Sequence, residues 1–146
     1  MEIFNILVIC TGNSCRSQIT EGYLKFFKKK LNLSANIYSA GVRAEGVNKK
    51  AIEIMSKDNI DISNHSSNTI DEYLEKDITH VITVCDHAHE SCPIFLKKTH
   101  FTHHNFKDPS KVNGDELEIE EAFLKCREEI KEFCKQYLKT LLAFFT

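Results

Sequence analysis

The sequence predicts an α/β fold, a three-layer sandwich around a four-stranded parallel sheet, and three observations carry that prediction. Apolar, β-branched runs alternate with segments of helical periodicity. The first run, residues 3–10, is apolar almost without interruption, as a strand buried on both faces requires. No repeat, linker or low-complexity stretch divides the 146 residues, a length that suits one domain spanning 1–146.

Ile-Phe-Asn-Ile-Leu-Val-Ile-Cys at 3–10 is the first strand. Ile19, Tyr23, Phe26, Phe27 and Leu31 then recur at spacings of three and four, with Lys25, Lys28 and Lys29 outside, which predicts a helix. Residues 35–40 read as a short strand stopped by Gly41, 48–55 as a helix, and 61–69 as polar turn chemistry. Tyr73 and Leu74 fall on a short helix, 79–85 is the next buried strand, and a weaker one lies near 100–106. The last helix opens at Asp115 with Glu118 in capping-box position. Its apolar face runs Ile119, Ala122, Phe123, Cys126, Ile130, Phe133, Cys134, Tyr137, Leu141.

Composition excludes several classes. Nineteen basic and 21 acidic residues leave a net charge of −2, which argues against a general nucleic-acid or anionic-membrane binder. A hydrophobic fraction of 42% excludes a disordered chain. Six cysteines allow a secreted disulfide scaffold. Against export, no basic side chain precedes the apolar 3–10 run and no small-residue cleavage site follows it. The longest other apolar run, 141–145, is far short of the ~20 residues that span a bilayer. The expected setting is the cytoplasm, where thiols stay reduced and several cysteines point to catalysis, redox exchange or metal binding.

Cys10-Thr11-Gly12-Asn13-Ser14-Cys15-Arg16-Ser17 lies between the first strand and the first helix. A tight loop there turns successive backbone N–H groups inward as an anion nest, reinforced by the helix dipole. Gly12 and Asn13 tolerate the positive φ that such a curl demands. Arg16 closes the loop with a planar fork for two oxygens of a tetrahedral oxyanion. That environment is expected to depress the Cys10 thiol from ~8.5 toward ~3.5–7.5, with Ser17 donating to the sulfur. Cys15 is expected to pack the loop without reacting. In open α/β sheets ligands bind beyond the carboxyl ends of the strands, so Cys10 and Cys85, each ending a strand, belong on one rim.

The loop, followed by Gln18 and Glu21-Gly22, resembles the phosphate loop of the low-molecular-weight tyrosine phosphatase superfamily, and more closely that of its thioredoxin-coupled arsenate reductases. Tyr38-Ser39-Ala40-Gly41, Gly46-Val47-Asn48, Asp61-Ile62-Ser63-Asn64-His65, Val84-Cys85, Cys92-Pro93 and Asp108-Pro109 extend the likeness over about residues 3–138. Phosphatases of the superfamily share the loop and the Asp-Pro but lack a pair matching Cys85 and Cys92.

The resemblance implies a mechanism. Cys10 attacks the arsenic of an arsenate held by residues 11–17, and Asp108 protonates the departing oxygen. Cys85 then attacks the arsenylated sulfur and releases arsenite. Cys92 moves the disulfide to Cys85–Cys92, which thioredoxin reduces. Taken alone, Asp108 before Pro109 is also ordinary turn chemistry. If the six residues between Cys85 and Cys92 are helical, the rise is ~10.5 Å. A disulfide needs Cα atoms within ~7 Å, so the segment must unwind to oxidise.

A metal reading competes for the same residues. Cys85, His87, His89 and Cys92 form a soft-ligand set, and six of seven histidines lie between His80 and His104, yet zinc-finger spacing is missing. Cys126 and Cys134 belong to the core face of the last helix. Some reductases of the family hold potassium at the positions of Asn13, Glu21, Ser39 and Asn68, although an acidic residue often stands where Asn68 does. Lys49 replaces a common Pro, and Ser110 stands where phosphatases usually carry aromatics. The tail from Lys139 to Thr146 runs past the family's usual end, and Leu142, Phe144 and Phe145 either pack on the core, the favoured reading, or form an exposed partner patch. A monomer is expected, with phosphate or sulfate competing for the loop.

Overall fold

Seven consecutive residues, Phe4–Cys10, form β1 at the centre of the sheet. Ile6, Leu7, Val8 and Ile9 have no exposed surface. Because neighbouring side chains on a strand point to opposite faces, this burial means that chain covers both sides of the sheet. The computed structural model describes residues 3–145, with side chains to Phe144. Four parallel strands stand in the order β2-β1-β3-β4, where β2 is Ala35–Gly41, β3 His80–Thr83 and β4 His100–His103. β1 pairs with β2 on one side and β3 on the other, so Ile6 faces both Ile37 and His80.

Among the described residues the α-helices are α1 (Arg16–Lys30), α2 (Lys49–Ser56), α3 (Asp86–Ser91), α4 (Ile94–Lys97) and α5 (Glu116–Phe145), and Ile70–Tyr73 and Pro109–Lys111 are short 3-10 turns. α1 buries Ile19, Tyr23, Leu24 and Phe27, while Phe26 is 38% exposed. The inward stripe therefore includes Leu24 where the sequence pattern favoured Phe26. α2 begins at Lys49 because Asn48 caps it, accepting from the Ala51 N–H at 3.0 Å. α5 starts with the expected capping box: the Glu118 N–H donates to Asp115 Oδ1 (2.8 Å) and the Asp115 N–H to Glu118 Oε1 (3.5 Å). Phe123, Cys126, Ile130, Cys134, Leu138 and Leu141 form its buried face. Burial pushes the Cys126 thiol up to about 12 and Cys134 well above the usual thiol range, as suits core cysteines.

The tail departs from expectation in part. Leu141 is buried and Leu142 half-buried, but Phe144 is 80% exposed, at the rim of a groove of about 540 Å³ that Phe101 and Tyr137 also line. The Phe145 side chain and Thr146 lie outside the described residues. Among the described residues, no helix is long and apolar enough to cross a membrane.

Candidate active site

The sheet order reverses at β1: the chain runs outward to β2, then returns to place β3 on the other flank. A crevice opens at such a point, beyond the carboxyl ends of the two strands. Cys10 ends β1, and Cys85 follows β3 by two residues. The two thiols stand near enough to shift one another's protonation, and each is almost fully buried.

The loop after β1 curls because its carbonyls are tied outward. Those of Cys10, Thr11, Gly12 and Ser14 accept from the N–H groups of Val42, Arg43, Glu45 and Asn48. The Asn13 carbonyl accepts from Gln18 Nε2 (3.0 Å) and Ser67 Oγ (2.9 Å). In a planar trans peptide the N–H opposes the C=O, so the amides of Thr11 to Cys15 turn toward the cavity. Asn13 sits at φ +46°, the left-handed turn expected of it. Its side chain braces the loop, donating from Nδ2 to Ser17 Oγ (2.8 Å) and Ser39 Oγ (2.9 Å) and accepting at Oδ1 from the Asn68 N–H (2.8 Å).

Gly41 lets the loop lie flat on β2. A Cβ there would stand 2.3 Å from the Arg43 carbonyl oxygen and 2.7 Å from the Asn13 nitrogen, both backbone atoms. Gly41→Ala is therefore expected to cost about 1–3 kcal/mol and to weaken oxyanion binding. Thermal unfolding with and without phosphate measures both effects.

Arg16 is 11% exposed and reaches across the cradle. Its Nη1 donates to the Phe106 carbonyl (2.9 Å), and Nη2 lies 3.4 Å from Asp108 Oδ2. Asp108 is in turn held by Ser110, whose N–H (3.0 Å) and hydroxyl (2.7 Å) both donate to Oδ1, leaving Oδ2 toward Arg16. Together these groups surround a cavity of about 200 Å³ with Cys10 at its base. Arg43, Glu45 and Lys111 also line it. No loop motif marks these three; Arg43 and Glu45 enter because their N–H groups bind the loop carbonyls.

Proton sharing corrects the expected behaviour of Cys10. Two thiols in hydrogen-bond contact titrate as a pair. The bond to Cys85 keeps the proton on Cys10 and, with burial, raises that thiol well above its usual range, despite Arg16 and the Thr11 N–H. Cys85 falls to about 5, chiefly through the bond from Cys10, helped by the Thr11 hydroxyl (3.2 Å) and the Ala88 N–H (3.4 Å). The anion nest thus stabilises one thiolate across the pair. Ser17 accepts from Asn13 and so braces the loop, while the Cys10 sulfur is served by the Thr11 N–H and shares its proton with Cys85. Removing Cys85 removes the largest influence raising Cys10. Cys85→Ala is expected to move the pH midpoint of Cys10 alkylation downward, read by mass spectrometry. An unchanged or higher midpoint would refute the sharing.

Cys85 caps the N-terminus of α3 and Cys92 ends it, so the two thiols occupy opposite ends of a helix. Cys92 is 5% exposed, and burial raises its thiol above the usual range. Cys15 is buried and its thiol raised by burial first and nearby Cys126 second, consistent with a packing role. Among the described residues, no group of three or more His, Cys, Asp or Glu is placed to hold a metal ion, so Cys85, His87, His89 and Cys92 do not assemble.

The four potassium positions meet and are joined by hydrogen bonds. The Ser39 hydroxyl donates to Glu21 Oε1 (2.5 Å), and Lys25 Nζ pairs with Glu21 Oε2 (2.5 Å). The Asn68 side chain turns to Glu72 (3.0 Å) and Ser66 (2.7 Å). These residues brace the loop as a hydrogen-bond network, with Lys25 placing a positive charge beside Glu21.

A parallel α/β sheet that carries an anion loop at its switch point, with a thiol at the base of the loop, defines the cysteine-dependent phosphatase class of fold. The chain belongs to the low molecular weight phosphotyrosine protein phosphatase family, which it matches over residues 5–143. It is 40% identical over 135 residues to an arsenate reductase of Halalkalibacterium halodurans, covering 92% of this chain and 95% of that protein. An arsenate reductase of Staphylococcus aureus is 43% identical over 131 residues, covering 90% and 93%. A solved structure of an arsenate reductase in the phosphate binding state superposes with a TM-score of 0.79 at 27% identity, covering 94% of this chain and 98% of that one.

Proposed function

We propose that this protein, acting as a single cytoplasmic domain and as a monomer, reduces arsenate to arsenite at the Cys10 loop. The observation that carries the reading is the second thiol: Cys85 is buried at the oxyanion cradle, its Sγ 3.2 Å from the hydroxyl of Thr11, the residue that follows Cys10. The relatives named arsenate reductases support it. The loop amides of residues 11–17 and the Arg16 fork hold the arsenate. The Cys10 proton passes along the hydrogen bond to Cys85, and the Cys10 thiolate attacks arsenic. Asp108 supplies a proton to the oxygen that leaves as water. Cys85 then gives the proton it took from Cys10 to an oxygen of the departing arsenite and attacks Cys10 Sγ as the thiolate; the S–As bond breaks, its electron pair stays on arsenic, and arsenite leaves. Cys92 attacks Cys85 Sγ, freeing Cys10 and leaving a Cys85–Cys92 disulfide, which a thioredoxin-class dithiol reduces.

A phosphatase would use Cys10, Arg16 and Asp108 and leave Cys85 and Cys92 without a task. Among the described residues no aromatic side chain lines the 200 Å³ cavity, which suits a small inorganic oxyanion better than an aryl ester. Phosphate fits the same cradle, so slow aryl-phosphate hydrolysis is expected alongside. The test is NADPH oxidation with arsenate, thioredoxin and thioredoxin reductase. Absence of arsenate-dependent turnover, together with rapid aryl-phosphate hydrolysis, would overturn the proposal.

A further inference from the structure

The helix that must unwind between Cys85 and Cys92 is held by a side chain outside the relay. Asp86, the first residue of α3, directly follows Cys85. Its Oδ1 accepts from His103 Nε2 at 2.8 Å, and its N–H donates to Asn105 Oδ1 at 3.2 Å. His103 ends β4, and its Nδ1 lies 2.7 Å from the Thr83 hydroxyl at the end of β3. An ionised Asp86 is an acceptor only, so Nε2 carries the proton, and Thr83 can donate to Nδ1 of the neutral ring. One turn further along α3, the His89 ring lies 4.4 Å from that of His103 and 5.7 Å from that of Phe101. β4 thus presents a platform on which α3 rests, and the hydrogen bond from His103 grips the residue beside the Cys85 thiol.

We propose that His103 is a positioning residue of the redox relay: by tying Asp86 to the ends of β3 and β4, it holds α3 wound and so favours the dithiol over the Cys85–Cys92 disulfide. The inference rests on the relay proposed above. Forming that disulfide takes two electrons and two protons from the two thiols and draws their sulfurs together from opposite ends of α3, which the wound helix prevents. The latch is only partly buried, with His103 25% and Asp86 72% exposed at the side chain, so its effect is modest and reversible. Such a latch suits a helix that opens and closes once per turnover.

The reduced protein tests the latch without arsenate. His103→Ala should raise hydrogen exchange of the α3 amides about threefold to tenfold. In a glutathione buffer, where oxidised glutathione accepts the two electrons, it should shift the Cys85–Cys92 equilibrium toward disulfide by the same factor. That corresponds to a reduction potential more negative by roughly 14–30 mV. Asp86→Ala should give the same shift, the double variant no more than either alone, and His103→Gln, which keeps an N–H for Asp86, a smaller one. Unchanged α3 exchange, an unchanged potential, or additive single variants would each overturn the latch. Failure of the wild-type protein to form a Cys85–Cys92 disulfide would overturn the relay itself, and the latch with it.

Discussion

Replacing Cys92 with Ser should leave an enzyme that makes one arsenite per active site and then stops. The first two thiol steps need only Cys10 and Cys85, which share one end of the sheet, so the initial burst should match the wild-type rate. Burial decides the next step. Cys10 and Cys85 are 4% and 3% exposed, too deep for a protein dithiol to reach a disulfide between them. Cys92 is the group that can carry the oxidation outward, because unwinding α3 brings it to Cys85 and takes both sulfurs away from the cradle. Steady-state reduction is expected to fall on the order of 10³-fold, as when one member of a covalent relay is removed. Mass spectrometry after the burst should find a Cys10–Cys85 disulfide. Sustained turnover by Cys92→Ser would sink the relay even if arsenate proved to be the substrate.

How much of this was legible in the sequence depends on how local each cause is. β1 could be read because an unbroken apolar strand has one comfortable place, the middle of a parallel sheet. The loop could be read because Gly12, Asn13 and Arg16 do their work within a few residues of Cys10, and Asn13 takes the expected left-handed turn. The end of the first strand also implied that Cys10 and Cys85 share a rim. The mutual effect of the two thiols on their protonation is a different matter. It depends on β1 and β3 being neighbours and on how far each thiol projects, and no local pattern records either.

That one long-range contact reversed the expected direction of the Cys10 shift. A nest lowers the pKa of a lone thiol, but two thiols in one nest stabilise a single charge between them. The bracing role of Ser17 and the Arg43 and Glu45 rim were hidden for the same reason: each depends on how the segment after β2 folds back on the loop. On α1, Leu24 displaced Phe26 from the buried stripe because the helix is covered over a wider arc than the periodic positions alone define. The His103 latch was hidden most completely. A histidine-rich stretch reads as metal ligands or as solvated loop until β4 sets one ring between Thr83 and Asp86.

Arg16→Lys should lower kcat/KM for arsenate by about 10²–10³-fold while leaving the charge in place. Arg16 is nearly buried, and its Nη1 is bound to the Phe106 carbonyl at 2.9 Å, so the guanidinium is fixed before any oxyanion arrives. A planar fork held in this way can meet two oxygens at once. A lysine ammonium is a point charge on a flexible stem, and cannot keep the Phe106 bond while presenting two parallel donors. Loss of one preorganised donor from an oxyanion site typically costs that much in rate, and the penalty should appear in kcat as well as KM because charge on the arsenate oxygens grows during attack. Weakened competition by phosphate would report the binding share separately. The later thiol exchanges involve no oxyanion, so thioredoxin should reduce a preformed Cys85–Cys92 disulfide in Arg16→Lys at close to the wild-type rate. A loss of arsenate turnover under fivefold would show that a cation alone suffices. An equal loss in the reduction of the preformed disulfide would place the role of Arg16 in holding the fold and not in holding the substrate.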